Sequence, residues 1–172
     1  GFHYYTSKRA PKGGSIGDCK VWGDASVDRD RIHKHEIEDL DYTFSSLKRE
    51  LLRHVCWVNE LDPKVIPHAI ERGKPEVLRR ATEIVTKRIA KIPVGHFDYM
   101  CTPKHGREII HYAQHGTATC CRKCLERWHN IPQDIVLNSN QIKYIVGLIE
   151  KFIDDRIPEL YATIHPRRRK AA

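Results

Sequence analysis

Three of the six cysteines fall within five residues, Cys120, Cys121 and Cys124, and two histidines, His115 and His129, flank them. A secreted disulfide framework spreads its cysteines along the chain, whereas a cluster of this kind reads as a metal or redox site in a reducing compartment. No Asn-X-Ser/Thr glycosylation acceptor is present. Both points favour an intracellular protein. The remaining cysteines, Cys19, Cys56 and Cys101, are scattered. Residues 93–135 are therefore expected to form one compact site region.

Zinc takes four nitrogen or sulfur ligands in a tetrahedron, and Cys-X-X-Cys commonly supplies two of them from one short segment. Cys121, Cys124 and His129 provide three ligands, and His115 completes the favoured set. Alternates for the fourth place are His111, His105 and Cys101. Cys120 could replace Cys121, since it too reaches Cys124 across one helical turn. Two other readings stand beside this one. On an ideal helix, turning about 100° per residue, Cys121, Cys124, Leu125 and Trp128 share one face. That is an ordinary core stripe, and free cysteine is among the most buried residue types. His129 falls about 80° off that face at the same pitch, which a helix ending near Trp128 could correct. The third reading is a redox pair, because Cys-X-X-Cys can lower a thiol pKa.

A thiol- or metal-dependent enzyme would draw on His115, Cys120, Cys121 and Cys124, with His111 as a second candidate base. No Walker loop, dinucleotide glycine fingerprint, His-Glu-X-X-His or nucleophile elbow is present. The zinc-deaminase pattern is missing as well, since no proline precedes Cys121.

Hydrophobic periodicity predicts a mostly α fold: one small helical domain over residues 44–156, with at most a short strand pair. An extended arm over 1–43 precedes it and a basic tail over 157–172 follows. The segment 44–61 places Leu47, Leu51, His54, Val55 and Val58 at helical spacing, with Ser45 or Ser46 as its start. Asp62-Pro63 starts a short helix that stops at Gly73. Lys74-Pro75 opens a helix to about residue 92, with the stripe Val77, Leu78, Ala81, Ile84, Val85, Ile89 and Ile92. Residues 108–113 form a strand or a helical turn. Thr117 or Thr119 caps a helix through Cys124 that Asn130-Ile131-Pro132 ends. A last helix over about 140–156 buries Ile142, Ile145, Val146, Ile149, Phe152 and Ile153. No apolar run approaches 18 residues, so no membrane span is expected, and no secretory leader is evident.

Residues 1–42 carry seven Lys/Arg against eight Asp/Glu, a net −1, and residues 43–172 carry 23 against 14, a net +9, so the positive excess behind the formal net charge of +8 lies in the second part. Arg79, Arg80, Lys87, Arg88 and Lys91 crowd one helix, and Arg167, Arg168 and Arg169 mark the tail. Such an excess suits nucleic acid or an acidic protein surface, or simply keeps a solvated face soluble.

The run Ala113-Gln114-His115-Gly116-Thr117-Ala118-Thr119-Cys120-Cys121-Arg122-Lys123-Cys124-Leu125, followed by Trp128-His129 and Ile131-Pro132, resembles domain-of-unknown-function family 4186. Gly116 departs from the usual Ala of that pattern. Upstream, Thr102-Pro103 resembles a Thr-Pro that precedes a Gly-His pair, but the order here is His105-Gly106. The resemblance extends over about residues 45–155 and leaves residues 1–42 and the basic tail as additions. It implies a helical amino-terminal half and a carboxyl-terminal helix, and it marks the site without naming a reaction. The residues together support a small zinc-binding module that docks on nucleic acid or an acidic partner. A metal- or thiol-dependent enzyme and a structural subunit of a larger assembly are the alternatives.

Overall fold

The computed structural model describes residues 39–50, 53–92, 102–103 and 106–162. In chain order its elements are α1 (Leu40–Arg49), α2 (Val55–Val58), α3 (Val65–Arg72), α4 (Lys74–Ile84) continuing into a π-helical turn (Val85–Ile89), α5 (Ile109–Gly116), α6 (Arg122–His129), α7 (Ser139–Arg156) and α8 (Glu159–Ala162). The fold is mostly helical, and no strand occurs among the described residues. Most of the expected arm and tail, including Arg167, Arg168 and Arg169, lies outside them.

The longest of these helices carries the packing. Its start is a capping box: the Asn138 side chain accepts the Gln141 N–H, and the Gln141 side chain accepts the Asn138 N–H. Ile145, Leu148, Ile149, Phe152 and Ile153 are fully buried along it. Helices α1, α4 and α5 all pack against α7. At its far end the Arg156 guanidinium donates to the Trp57 and Asn59 carbonyls. A cation thereby closes the carbonyl end of the short α2 helix.

Local sequence explains most boundaries, and the departures have physical causes. α1 begins at Leu40, inside the span read as arm, because Asp39 caps it by accepting the Tyr42 N–H at 3.0 Å. The single helix expected over 44–61 is broken between α1 and α2, and His54 is buried there with Nδ1 2.9 Å from the Lys48 carbonyl. Asp62 accepts the Lys64 and Val65 backbone N–H groups, through its side chain and its carbonyl respectively, and α3 starts at Val65, just after the proline signal. Gly73 separates α3 from α4 at φ +76, a left-handed value that glycine adopts without cost. Residues 109–116 are α5 and not a strand.

The end of α4 widens into a π turn, with the Ala90 N–H bonded to the Val85 carbonyl at 2.8 Å. The carbonyls beyond it are taken up from outside the helix. Leu137 N–H donates to Ala90 at 3.0 Å, and Arg122 donates to Ile89 at 3.5 Å. Arg122 is itself buried and also donates to the Pro132 and Ile135 carbonyls. It ties α4, α6 and the 132–137 loop into one block. Among the described residues no helix is long and apolar enough to cross a membrane.

Gly116 ends α5 directly beneath the ring of Phe152. A Cβ added there would lie 2.5 Å from Phe152 Cε2 and 2.9 Å from Cδ2. Phe152 is fully buried and meets Trp57 edge-on at 5.0 Å, so it has little room to retreat. Glycine at this position therefore matches the aromatic ring opposite it. Gly116→Ala is expected to destabilise the domain by about 1–3 kcal/mol through overpacking. Phe152→Leu in the same background should recover part of that loss, and urea unfolding of the two single variants and the double variant reads the coupling.

Candidate metal centre

α5 and α6 are joined by the turn Thr117–Cys121, which is buried throughout. A buried turn must find partners for its peptide groups. The Thr119 N–H bonds to the Gln114 carbonyl at 2.8 Å. The Gln114 side chain donates to the Thr119 carbonyl at 3.4 Å, and the Thr102 hydroxyl lies within bonding range of both Gln114 Oε1 (3.2 Å) and the Cys120 carbonyl (2.8 Å). The hydroxyls of Thr117 and Thr119 meet at 3.0 Å. Ala118 takes φ +55, a left-handed conformation uncommon for a residue with a Cβ. This turn fixes where the cysteines begin.

The turn delivers Cys120 and Cys121 to the start of α6, with Cys121 as N-cap in extended conformation and Cys124 in the first turn. Neither Thr117 nor Thr119 caps the helix, because both are engaged in the turn. The sulfurs of Cys120, Cys121 and Cys124 all lie within 4.8 Å of one another. The Cys120 thiol donates to Cys124 Sγ at 3.5 Å. Cys120 and Cys121 are buried, and Cys124 is partly exposed.

Arg53, from the break before α2, reaches the cluster. Its Nη2 lies 3.5 Å from Cys124 Sγ, its Nη1 donates to the His115 carbonyl at 2.9 Å, and its guanidinium lies 5.3 Å from the Trp128 ring centre. Hydrogen bonds from Cys120 and Cys121, reinforced by the Arg53 charge, hold the Cys124 thiol well below its ordinary pKa. Donation to its two neighbours pushes the Cys120 thiol up, and burial adds to the shift. Three thiols this close cannot all ionise without a cation to offset their charge.

The expected ligand set divides. Cys121 and Cys124 are brought together, and Cys120 joins them. His129 is buried and turned the other way, with Nε2 2.8 Å from the Thr117 carbonyl and Nδ1 3.0 Å from the Tyr144 hydroxyl. A carbonyl only accepts, so Nε2 carries the proton; in the neutral ring Nδ1 then accepts from Tyr144. His115 lies in the last turn of α5, with Nε2 3.2 Å from the Pro103 carbonyl. Burial lowers its pKa, which leaves the ring neutral near pH 7. His111 is lowered by burial too, and its Nδ1 is buried without a partner. Cys101 and His105 lie outside the described residues.

The family profile described as Domain of unknown function (DUF4186) matches residues 41–154. The chain belongs to this family. The match spans α1 to nearly the end of α7, so the DUF4186 domain contains both Arg53 and the three clustered cysteines. No solved structure matches the chain.

On the DUF4186 domain's basic helix the charges are partly spent locally. Arg79 pairs with Glu76 at 2.7 Å, and Arg80 and Lys87 pair with Glu83 at 3.0 Å and 2.6 Å. Arg88 and Lys91 are exposed. Sequence reading did not single out Arg53, which lies 71 residues before Cys124. It has no motif of its own, and only a pairing of distant segments could have found it. Tyr144→Phe is expected to cost the DUF4186 domain about 1–2 kcal/mol, because a buried hydroxyl bond to His129 is lost. Thermal unfolding equal to that of the parent would show that this bond does not hold the Thr117–Cys121 turn.

Proposed function

We propose that this chain is a small zinc-binding module whose metal is held by Cys120, Cys121 and Cys124. The grouping of the three sulfurs within 4.8 Å carries this reading. Zinc–sulfur bonds of about 2.3 Å in a tetrahedron separate the sulfurs by roughly 3.8 Å. The observed grouping, with its 3.5 Å pair, needs only small side-chain adjustment to reach that spacing. Three thiolates around a divalent ion leave one negative charge, and Arg53 offsets it from 3.5 Å. The fourth place falls to His115 or to a water molecule. Closure by His115 favours a structural role, and an open position favours catalysis. His129 serves instead as a buried strut, since ligation would cost it the bond to Tyr144.

The same reading has the module dock on nucleic acid or an acidic protein surface through its positive charge. Support comes from the net charge of +8 and from exposed Arg88 and Lys91. The pairing of Arg79, Arg80 and Lys87 with Glu76 and Glu83 weakens the contribution of their part of the helix. Binding is then electrostatic, and no element reads sequence.

Untagged protein is expected to carry about one zinc per chain by elemental analysis, and a strong chelator should lower its thermal stability. Cys124→Ala should abolish the metal and cause a large loss of stability, because metal binding is coupled to folding. His129→Gln should lower stability while keeping the metal. A mild Cys124→Ala effect of about 1–2 kcal/mol, with no response to chelator, would mean that the thiols are packing residues. For docking, affinity for DNA or RNA of mixed sequence should fall steeply between low and moderate salt. A flat salt response would remove the electrostatic account.

A further inference from the structure

The three thiols are not equivalent, and the differences point in one direction. Cys124 is half-buried, and its sulfur faces the Arg53 guanidinium at 3.5 Å. Cys120 is buried at 8% exposure, directly behind it, with the two sulfurs 3.5 Å apart. A disulfide needs about 2.05 Å between sulfurs, an approach of about 1.5 Å from where they stand. A partly exposed sulfur beside a cation, with a second sulfur 3.5 Å away, is an arrangement that an electrophilic oxidant can attack and that then seals itself. Cys56 lies outside this grouping of sulfurs.

We propose, resting on the metal reading above, that the site is a hydroperoxide-operated switch in which oxidation links Cys120 to Cys124 and the metal is released. In the first step Cys124, deprotonated as a ligand of the metal, attacks the terminal oxygen of a hydroperoxide. An S–O bond forms, the O–O bond breaks, and the departing alkoxide or hydroxide takes a proton from water to leave as an alcohol or water. Cys124 is then a sulfenic acid. In the second step Cys120, already deprotonated as a ligand of the metal, attacks the Cys124 sulfur. The S–S bond forms, the S–O bond breaks, and the expelled hydroxide takes a proton to become water. Two electrons have passed from the two sulfurs to the peroxide. Cys121 alone remains as a thiolate, too few ligands to retain the metal. Arg53 acts as a positioning residue: it holds the Cys124 sulfur from 3.5 Å. An external dithiol reverses the link by exchange and is itself oxidised to a cyclic disulfide.

The test uses the full chain loaded with one equivalent of zinc and treated with one equivalent of hydrogen peroxide. A chromogenic chelator follows metal release, and peptide mapping of the alkylated protein locates any disulfide. The expected result is one zinc released per chain, a Cys120–Cys124 disulfide, an unmodified Cys56, and recovery of zinc binding after dithiothreitol. Retention of zinc with all thiols reduced would overturn the switch and leave the metal site standing. A disulfide that joins any other pair, or stable overoxidation of Cys124 without a link, would also overturn it. A chain that cannot be loaded with zinc overturns the metal reading, and this inference goes with it.

Discussion

A buried turn with no room for unpaired peptide groups is the constraint on which the site depends. Between α5 and α6 the backbone reverses inside the protein, where an unsatisfied donor or acceptor costs about 1–3 kcal/mol. Gln114, Thr102, Thr117 and Thr119 answer that need from close by, and His129 from the far end of α6. Because these partners are specific, the turn has one shape. That shape places Cys120 and Cys121 ahead of the first helical turn, where Cys124 meets them.

The scaffold around the turn transmits this definition outward. Arg122 leaves the cysteine segment in the opposite direction and binds carbonyls from the π turn and the 132–135 loop. Phe152 presses on Gly116 from α7 and closes the other side. The motif is thus held between a polar clamp and an apolar floor. Arg53 adds a third contact, joining the His115 carbonyl in the last turn of α5 to the Cys124 sulfur. One cation satisfies a helix-end carbonyl and faces a cysteine sulfur at once.

Most of the helices were legible in the sequence because their signals are local. The stripe of the last helix, the stop at Gly73 and the Asn130 end of α6, left-handed at φ +54, follow from side-chain period and turn chemistry. Residues 108–113 were ambiguous because a short apolar run fits either period. The start of α1 was missed because Ser45 and Ser46 compete with Asp39 as caps, and only the bond to Tyr42 separates them.

By itself the sequence determined that the chain is mostly helical, that cysteines 120, 121 and 124 sit in one segment, and which family that segment belongs to. Each of these depends on residues near one another in the chain. Tertiary structure decided which donors meet. On an ideal helix Cys121 and Cys124 look like part of a core stripe, yet the extended conformation of Cys121 takes it off that helix and toward Cys120. It decided that His129 braces Thr117 and Tyr144, since its direction depends on what α7 offers across the core. It also brought in Arg53 from another helix pair. Contacts between distant segments arise from packing, and no local periodicity encodes them.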